Sequence, residues 1–254
     1  MAKAKGAGLF WPTVLTVLGL SALLALGTWQ LRRLAWKEGL LAQIEARTKA
    51  APIDLAAALR RAAAGEDVEY LRVRVDGRWL HDREQYLWTP EKSGPGWQVF
   101  TPLVTPDGTV VIVNRGFIAD ADRDRTRRAE ASDSVTGLTG LLRRPEVPNS
   151  FVPANEPARN RWYWRDLDGM SKAMQLAGFG RLVGFFIDSE PLSDQAMKAN
   201  PALPRGGATR LDLPNSHLQY ALTWYGLALT LIGVYVAFAI GRLRQARKDG
   251  GSES

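Results

Sequence analysis

The sequence contains no cysteine, and this absence removes several kinds of chemistry. Disulfide bonds, thiolate metal sites and redox-active CxxC pairs all require cysteine sulfur. Histidine is scarce as well, because only His81 and His217 occur in 254 residues. Any metal chemistry must therefore use few nitrogen ligands or come with a cofactor.

Common catalytic motifs are also missing. The sequence has no Walker A loop, no GxGxxG, HExxH or GxSxG motif, and no paired-carboxylate signature. A Ser-His-Asp triad would have to use His81, in the segment WLHDRE, or His217, at a predicted membrane interface. We therefore expect that the protein is not an enzyme.

The chain is basic, with a net charge of +7 and a pI near 9.9. Such a balance is typical of nucleic-acid binding or of the cytoplasmic flanks of membrane helices. Part of the excess lies beside apolar segments, at Lys3, Lys5, Arg242, Arg244, Arg247 and Lys248. Since no zinc-finger or RNP-like motif is present, we favour membrane flanks and predict no nucleic-acid partner.

Two long uncharged runs lie near the ends of the chain. The first, residues 6–31, is long enough to span a bilayer, which takes about 20 apolar residues. A signal peptide is the alternative, but Trp, Gln and Arg follow the run where a small-x-small cleavage site is expected. We predict an uncleaved transmembrane helix at 9–31 and a second one at 214–241.

Two spans place both termini on the same side of the membrane. The basic segment after the second span predicts a cytoplasmic tail at 242–254 and a cytoplasmic N-terminus at 1–8. Arg32 and Arg33 follow the first span and make the N-terminal evidence ambiguous. Residues 32–213 then face the periplasm, and the absence of an Arg- and Ser-rich presequence favours a bacterial inner membrane over a mitochondrial one.

The middle segment predicts an α+β domain with a largely antiparallel β-sheet. Residues 32–50 continue the first helix until Pro52, and a short helix follows with Asp54 as N-cap and Gly65 closing it. The strand segments are EYLRVRVDGRWL, EQYLW, GWQVFTPLV, TVVIVNRGFI, VTGLTGLL and LVGFFIDSE. The Asp-Gly step in TPDGT (105–109) predicts a hairpin.

Two further segments complete the domain. LDGMSKAMQLAG predicts a helix closed by Gly178, and residues 120–133 are a charged loop that we interpret as a solvated turn. Because the strands come in hairpins rather than alternating with helices, an antiparallel arrangement is favoured.

Four segments carry a family pattern. They are GTWQLRRLAWK, PLVTPDGTVVIVNRGFI, FVPANEPARNRWYWRDLDGM and NSHLQYALTWYGLA, and the last is the most specific. Together they resemble the Surfeit locus protein 1 family of cytochrome c oxidase assembly factors. The resemblance implies two membrane helices flanking a soluble domain, and an activity that promotes formation of the haem centres of subunit I.

The resemblance also implies a cofactor and a ligand. Bacterial members are implicated in binding haem a through the histidine of the second helix, which is His217 here. It further implies subunit I as partner, with haem A synthase as a second candidate partner.

The residues around His217 are chemically suited to such a role. A neutral imidazole is a good axial ligand for haem iron. Helical spacing puts Tyr220, Ala221, Trp224 and Ala228 on the same face, where rings beside small residues leave room for a flat apolar macrocycle. The alternative is that His217 is an interfacial residue hydrogen-bonded to the soluble domain, and that Tyr220 and Trp224 are packing residues or interface anchors.

Polar residues follow the apolar part of the first span. Gln30, Arg32 and Arg33 are expected at the same membrane level as His217, where an arginine could pair with a haem propionate or simply snorkel to the interface. The small residues Gly19, Ala22 and Gly27 are expected to allow close packing against a partner's helices.

The soluble domain offers a polar-aromatic cluster of Arg159, Asn160, Trp162, Tyr163, Arg165 and Asp166. We predict a structural role, with Arg165 or Arg159 paired with Asp166 or a backbone carbonyl. Asn114-Arg115-Gly116 ends a buried strand, and His81 is predicted to be an ordinary strand-end residue.

Two hypotheses remain from the sequence. The first is a carrier that presents haem a to subunit I, with His217 as the axial ligand of the iron and Tyr220 and Trp224 shaping the site. The second is a cofactor-free scaffold that stabilises an oxidase assembly intermediate through its soluble domain and helices. A copper chaperone is disfavoured because cysteine is absent and methionine is scarce.

Overall fold

A computed structural model describes residues 8–91, 94–124, 132–200, 202–209 and 215–250. The chain divides into two compact units. One consists of Met1–Gln43 with Asp212–Ser254, and the other of Ile44–Leu211. The first is a helix unit and the second is the soluble domain.

The helices and strands follow each other along the chain in a simple order. They are α1 (Phe10–Lys49), β1 (Ile53–Asp54), α2 (Leu55–Ala63), β2 (Arg72–Trp79), β3 (Gln85–Glu91), β4 (Gly94–Val104), β5 (Thr109–Ala119), β6 (Ser134–Arg143), α3 (Leu167–Ala173), β7 (Arg181–Ser189), α4 (Asp194–Ala199) and α5 (His217–Gly250). Single 3₁₀ turns occur at His81–Arg83, Asp120–Asp122 and Pro157–Arg159.

The helix unit contains α1 as far as Gln43 together with α5, and both helices are long and apolar enough to cross a membrane. The predicted span 9–31 lies mostly within α1, which continues to Lys49 and stops before Pro52, as the sequence indicates. Helix α5 begins at His217 and runs through the basic residues after position 241. The two candidate membrane helices therefore extend beyond their apolar stretches.

Small residues bring α1 and α5 close together. Gly27 faces the ring of Tyr225 so closely that a Cβ there would lie 2.8 Å from a ring carbon. A Cβ at Gly19 would lie 3.3 Å from Leu231, and Ala221 and Ala228 are buried on the α5 side. Gly19 and Gly27 thus serve the pairing of the chain's own helices, whereas we had expected them to face a partner.

The soluble domain is built on one seven-stranded sheet in the order β1-β2-β6-β7-β5-β4-β3. An additional pairing of β2 with β4, at Arg78–Val104 and Trp79–Leu103, closes five of these strands into a ring. Only β1–β2 and β5–β7 are parallel among the described pairs. The predicted α+β class with a largely antiparallel sheet is confirmed.

Both faces of the ring are buried. All five ring strands contribute to one apolar cluster, which Leu55 and Ala58 of α2 join. A second cluster contains Phe100, Ile112, Phe186 and Trp162 with the apolar face of α3. Since side chains alternate along a strand, Val111 and Val113 of β5 enter the first cluster while Ile112 enters the second.

Local details differ from the sequence predictions. Asp54 stands at the N-cap of α2 but its side chain makes no capping hydrogen bond. Helix α3 ends at Ala173 rather than near Gly178, because Gln175 adopts a left-handed backbone with φ 51°.

The turn at 105–109 forms as predicted, with Gly108 at φ 76°. Of the charged loop predicted at 120–133, residues 125–131 lie outside the described residues.

Candidate functional site

His217 is the first residue of α5, and its side chain reaches α1. Its Nδ1 atom lies 2.8 Å from Oε1 of Gln30, and both residues are half-buried. The sequence predicted that these two residues share a level, and the structure brings them into hydrogen-bond contact.

This contact orients the imidazole. With Gln30 placed as it is here, its carbonyl Oε1 accepts a hydrogen bond and Nδ1 of His217 donates it. In the neutral ring of that tautomer the lone pair lies on Nε2. Nε2 is then the ring nitrogen with the electron pair that a metal requires.

The flanks of His217 are aromatic and small. Ala221 and Ala228 are buried and Trp224 is half-buried, so these three follow His217 along the face of α5 that packs in the helix pair. Trp224 therefore lies on the same face of α5 as His217. Tyr220 lies at the edge of that face and is 53% exposed.

The donor set bears on which metal species could bind. The described residues hold no group of three or more histidine, aspartate and glutamate side chains able to share a metal ion. A single imidazole with a defined lone pair suits iron that brings four equatorial nitrogens of its own, as in a haem. The residues present at His217 fit such a group, with Tyr220 and Trp224 as its aromatic neighbours.

The two arginines after the first span are exposed. The guanidinium of Arg33 lies 4.7 Å from the ring centroid of Trp36 on the same helix. Arg32 is exposed as well. Pairing with a haem propionate and snorkelling to the interface both stay predictions for these two residues.

A buried ionic network organises the polar cluster of the soluble domain. Asp188, 2% exposed, accepts hydrogen bonds from Arg165 at 3.1 Å, Arg143 at 3.3 Å and Asn114 at 3.0 Å. Arg165 therefore pairs inside the fold, but with Asp188 rather than Asp166, so our predicted partner was wrong. Asp166 instead caps α3 by accepting from the backbone N–H of Gly169.

The other predicted pairs are local. Arg159 pairs with Glu156 at the surface. The indole of Trp162 is fully buried and donates to Gln85. Asn160 bridges to β3 by accepting from the backbone N–H of Tyr86 and donating to the carbonyl of Glu84. These contacts support the structural role predicted for the cluster.

A second buried network surrounds Glu84, which sequence reasoning missed. Tyr86 and Thr101 donate hydroxyl hydrogen bonds to its carboxylate, and Arg115 lies 3.3 Å from it. His81 is buried in the turn after β2, with Nδ1 3.3 Å from Arg115, and is thus more than an ordinary strand-end residue. A β-bulge in β5 at Arg115 places that side chain here, and no pattern in the sequence announces the bulge.

Ion pairs shift several pKa values in the soluble domain. The hydrogen bonds from Arg72, aided by Thr139, hold the pKa of Glu190 below its ordinary value despite the opposing effect of burial. Burial by itself would lower the pKa of Arg143, but the negative charges of Asp188 and Glu69 outweigh it and raise that pKa. These groups are charged parts of the scaffold.

The chain is similar to one family of known proteins over most of its length. A family model described as the SURF1 family matches residues 17–229. Surfeit locus protein 1 of Mus musculus is 36% identical over 219 residues, which cover 80% of this chain and 67% of the relative. The SURF1-like protein of Monosiga brevicollis is 31% identical over 266 residues, covering 100% and 93%.

A bacterial relative matches as well. The SURF1-like protein of Rickettsia felis is 29% identical over 219 residues, covering 85% of this chain and 91% of the relative. The family match includes the soluble domain, Gln30 and His217. With a match over most of its length and relatives above 30% identity, the chain belongs to the SURF1 family.

Proposed function

We propose that the protein is a membrane-bound assembly factor for cytochrome c oxidase that carries haem a for insertion into subunit I. Membership in the SURF1 family supports the general role in oxidase assembly. The observation that carries the finer proposal is the hydrogen bond of His217 with Gln30, which leaves Nε2 as an iron-binding nitrogen.

The mechanism is one of holding and releasing rather than catalysis. A bound haem a would supply the iron, and His217 would ligate it through Nε2 while Gln30 keeps the ring oriented. Trp224 and the exposed ring of Tyr220 would contact the apolar macrocycle. One imidazole gives weak ligation, which suits a carrier because the cofactor must leave again.

The proposed location follows from the helix unit. We propose that the protein lies in the bacterial inner membrane, with the soluble domain in the periplasm and both termini in the cytoplasm. The two candidate membrane helices and the basic tail support this location. In this arrangement His217 lies at the start of a membrane helix, where a lipophilic haem could move laterally. Subunit I would be the receiving partner and haem A synthase the donor.

The carrier proposal is tested on the full chain, purified in detergent from cells that make haem A. Pyridine haemochrome spectra should show haem a with the wild type and lose it in His217→Ala. Leu218→Ala is the matched control, because Leu218 is the neighbouring residue and its side chain is 51% exposed. A colourless wild type from cells with demonstrated haem A would overturn the carrier proposal.

A cofactor-free scaffold is the second candidate, and one observation favours it. Val147 and Phe151 are 92% and 95% exposed in the segment between β6 and α3, and apolar side chains so exposed are typical of protein contacts. In this alternative, oxidase assembly survives His217→Ala but fails in Phe151→Ser. The carrier proposal predicts the opposite result in the same assay, with oxidase assembly impaired more by His217→Ala than by Phe151→Ser.

A further inference from the structure

We propose that Gln30 is a positioning residue that makes His217 competent to bind iron. This inference rests on the proposed function, because it assigns a role within the same site. Gln30 would not contact the iron. It would act through the imidazole, by fixing the orientation of the ring through the contact at Nδ1.

The orientation follows from the contact between the amide and the ring. With the proton on Nδ1, the ring donates to Gln30 Oε1 and presents a lone pair at Nε2. A glutamine amide can donate as well as accept, so the contact fixes the direction of the ring rather than the place of its proton. In the arrangement that the structure shows, Gln30 accepts at Nδ1 and leaves the lone pair on Nε2.

The position of Gln30 is fixed by the packing around it. One helical turn before it, Gly27 lies against the ring of Tyr225, and one turn after His217 the buried Ala221 lies on the same side of α5. Thr28 and Tyr225 also share a hydrogen bond of 3.2 Å between their hydroxyls. These contacts hold α1 and α5 close together next to Gln30 and His217. The distance between the two side chains is therefore determined by the packing of the helices and not by a loop.

The chemical nature of Gln30 fits a site that must release its ligand. Ligating histidines commonly donate their other N–H to a carboxylate or a carbonyl, which orients the ring and raises its basicity. A neutral amide orients the ring as a carboxylate would, but it adds no negative charge. We infer that Gln30 gives His217 enough order to bind haem while leaving the iron–nitrogen bond weak.

Two substitutions separate orientation from charge. Gln30→Leu removes the acceptor and should weaken haem a binding by about 10- to 100-fold, the usual effect of losing such a partner. Gln30→Glu keeps an acceptor at the same place and should retain binding, with a lower reduction potential of the bound haem because of the added negative charge. Gln43→Leu is the control, an exposed glutamine on the same helix about 20 Å further along.

The experiment titrates haem a into the detergent-solubilised full chain and follows the Soret band, with potentiometry on the loaded protein. Thermal melting of each apoprotein checks that the helices still pair. If the wild type binds and His217→Ala does not, but Gln30→Leu binds like the wild type, this inference fails and the proposed function stands. If the wild type itself does not bind haem a, the proposed function fails.

Discussion

At the scale of single residues, the Arg72–Glu190 pair is the clearest case of charge stabilising the soluble domain. Arg72 Nη2 donates to one carboxylate oxygen at 2.9 Å, Arg72 Nε approaches the other, and Thr139 donates at 2.7 Å. Both charged side chains are about 30% exposed, so water screens the pair only in part. The pair links β2 to the residue that directly follows β7.

The lowered pKa of Glu190 predicts acid sensitivity with a definite sign. Because the folded pKa lies below the ordinary 4.5, the pair's contribution is fully present above about pH 4.5. It is lost as the pH falls through the folded pKa. Glu190→Gln should therefore cost about 1–2 kcal/mol of stability at pH 7, and the difference from wild type should shrink at lower pH.

Thermal melting of the full chain between pH 7 and pH 3 measures this difference. Asp67 and Asp107 also have lowered pKa values, through Arg47 and Thr105 respectively, so the wild type will lose stability for several reasons. The wild-type minus variant difference isolates Glu190. Glu66→Gln, at an exposed glutamate, serves as the control, and a Glu190→Gln deficit that stays constant down to pH 3 would contradict the assignment.

What the sequence predicted at this scale depended on motifs. His217 was found because it lies in a distinctive run of residues, and Gln30 because it leaves the first span at the same level. Their hydrogen bond depends on the relative rotation of α1 and α5, which no local pattern reports. The partner of Arg165 was missed for the same reason, since Asp188 is 23 residues away and meets it only in the folded sheet.

At the scale of elements, small residues of α1 pack against aromatic rings of α5. Tyr225 fills the space above Gly27, and the hydroxyl of Tyr235 bonds with Thr13 at the other end of the pair. Without a hydrophobic driving force between helices in lipid, such close packing and interhelical hydrogen bonds supply the association. The pair also holds Gln30 against His217.

Enlarging Gly27 should separate the helices. Gly27→Leu places a side chain where even a Cβ would overlap the Tyr225 ring, and overpacking of this kind typically costs about 1–3 kcal/mol. We expect a lower melting temperature in detergent and a loss of haem a binding, because Gln30 would move away from His217. Ala22→Leu is the control, since Ala22 is exposed on the same helix. Equal melting temperatures and haem binding for Gly27→Leu and wild type would show that the helices do not pair this closely.

Element types were predictable because most strands carry an alternating or continuous apolar pattern bounded by turn residues. The closure of the ring was not predictable, because β2 meets β4 through only two residue pairs, whose members lie 26 and 24 residues apart in sequence. The short elements β1 and α4 were also missed. Strand β1 has 2 residues and α4 has 6, and segments this short show no hydrophobic periodicity in the sequence.

At the scale of the whole molecule, the orientation of the chain in the membrane decides whether the carrier proposal is workable. His217 is the first residue of α5, and the soluble domain precedes α5 along the chain. The tail after position 241 carries arginines and a lysine, which favour the cytoplasm. Arg32 and Arg33 follow the first span, so the charges around α1 favour neither orientation, and thiol labelling measures the topology directly.

The absence of cysteine makes that measurement clean, because a single introduced thiol is the only one in the chain. Ala177→Cys places it at an exposed site of the soluble domain, and Ala246→Cys at an exposed site near the end of α5. In cells with a permeabilised outer membrane, a membrane-impermeant maleimide should label the first and spare the second. Detergent lysis should make both react, which controls for accessibility. Labelling of Ala246→Cys but not Ala177→Cys in intact spheroplasts would reverse the topology and place His217 on the cytoplasmic side.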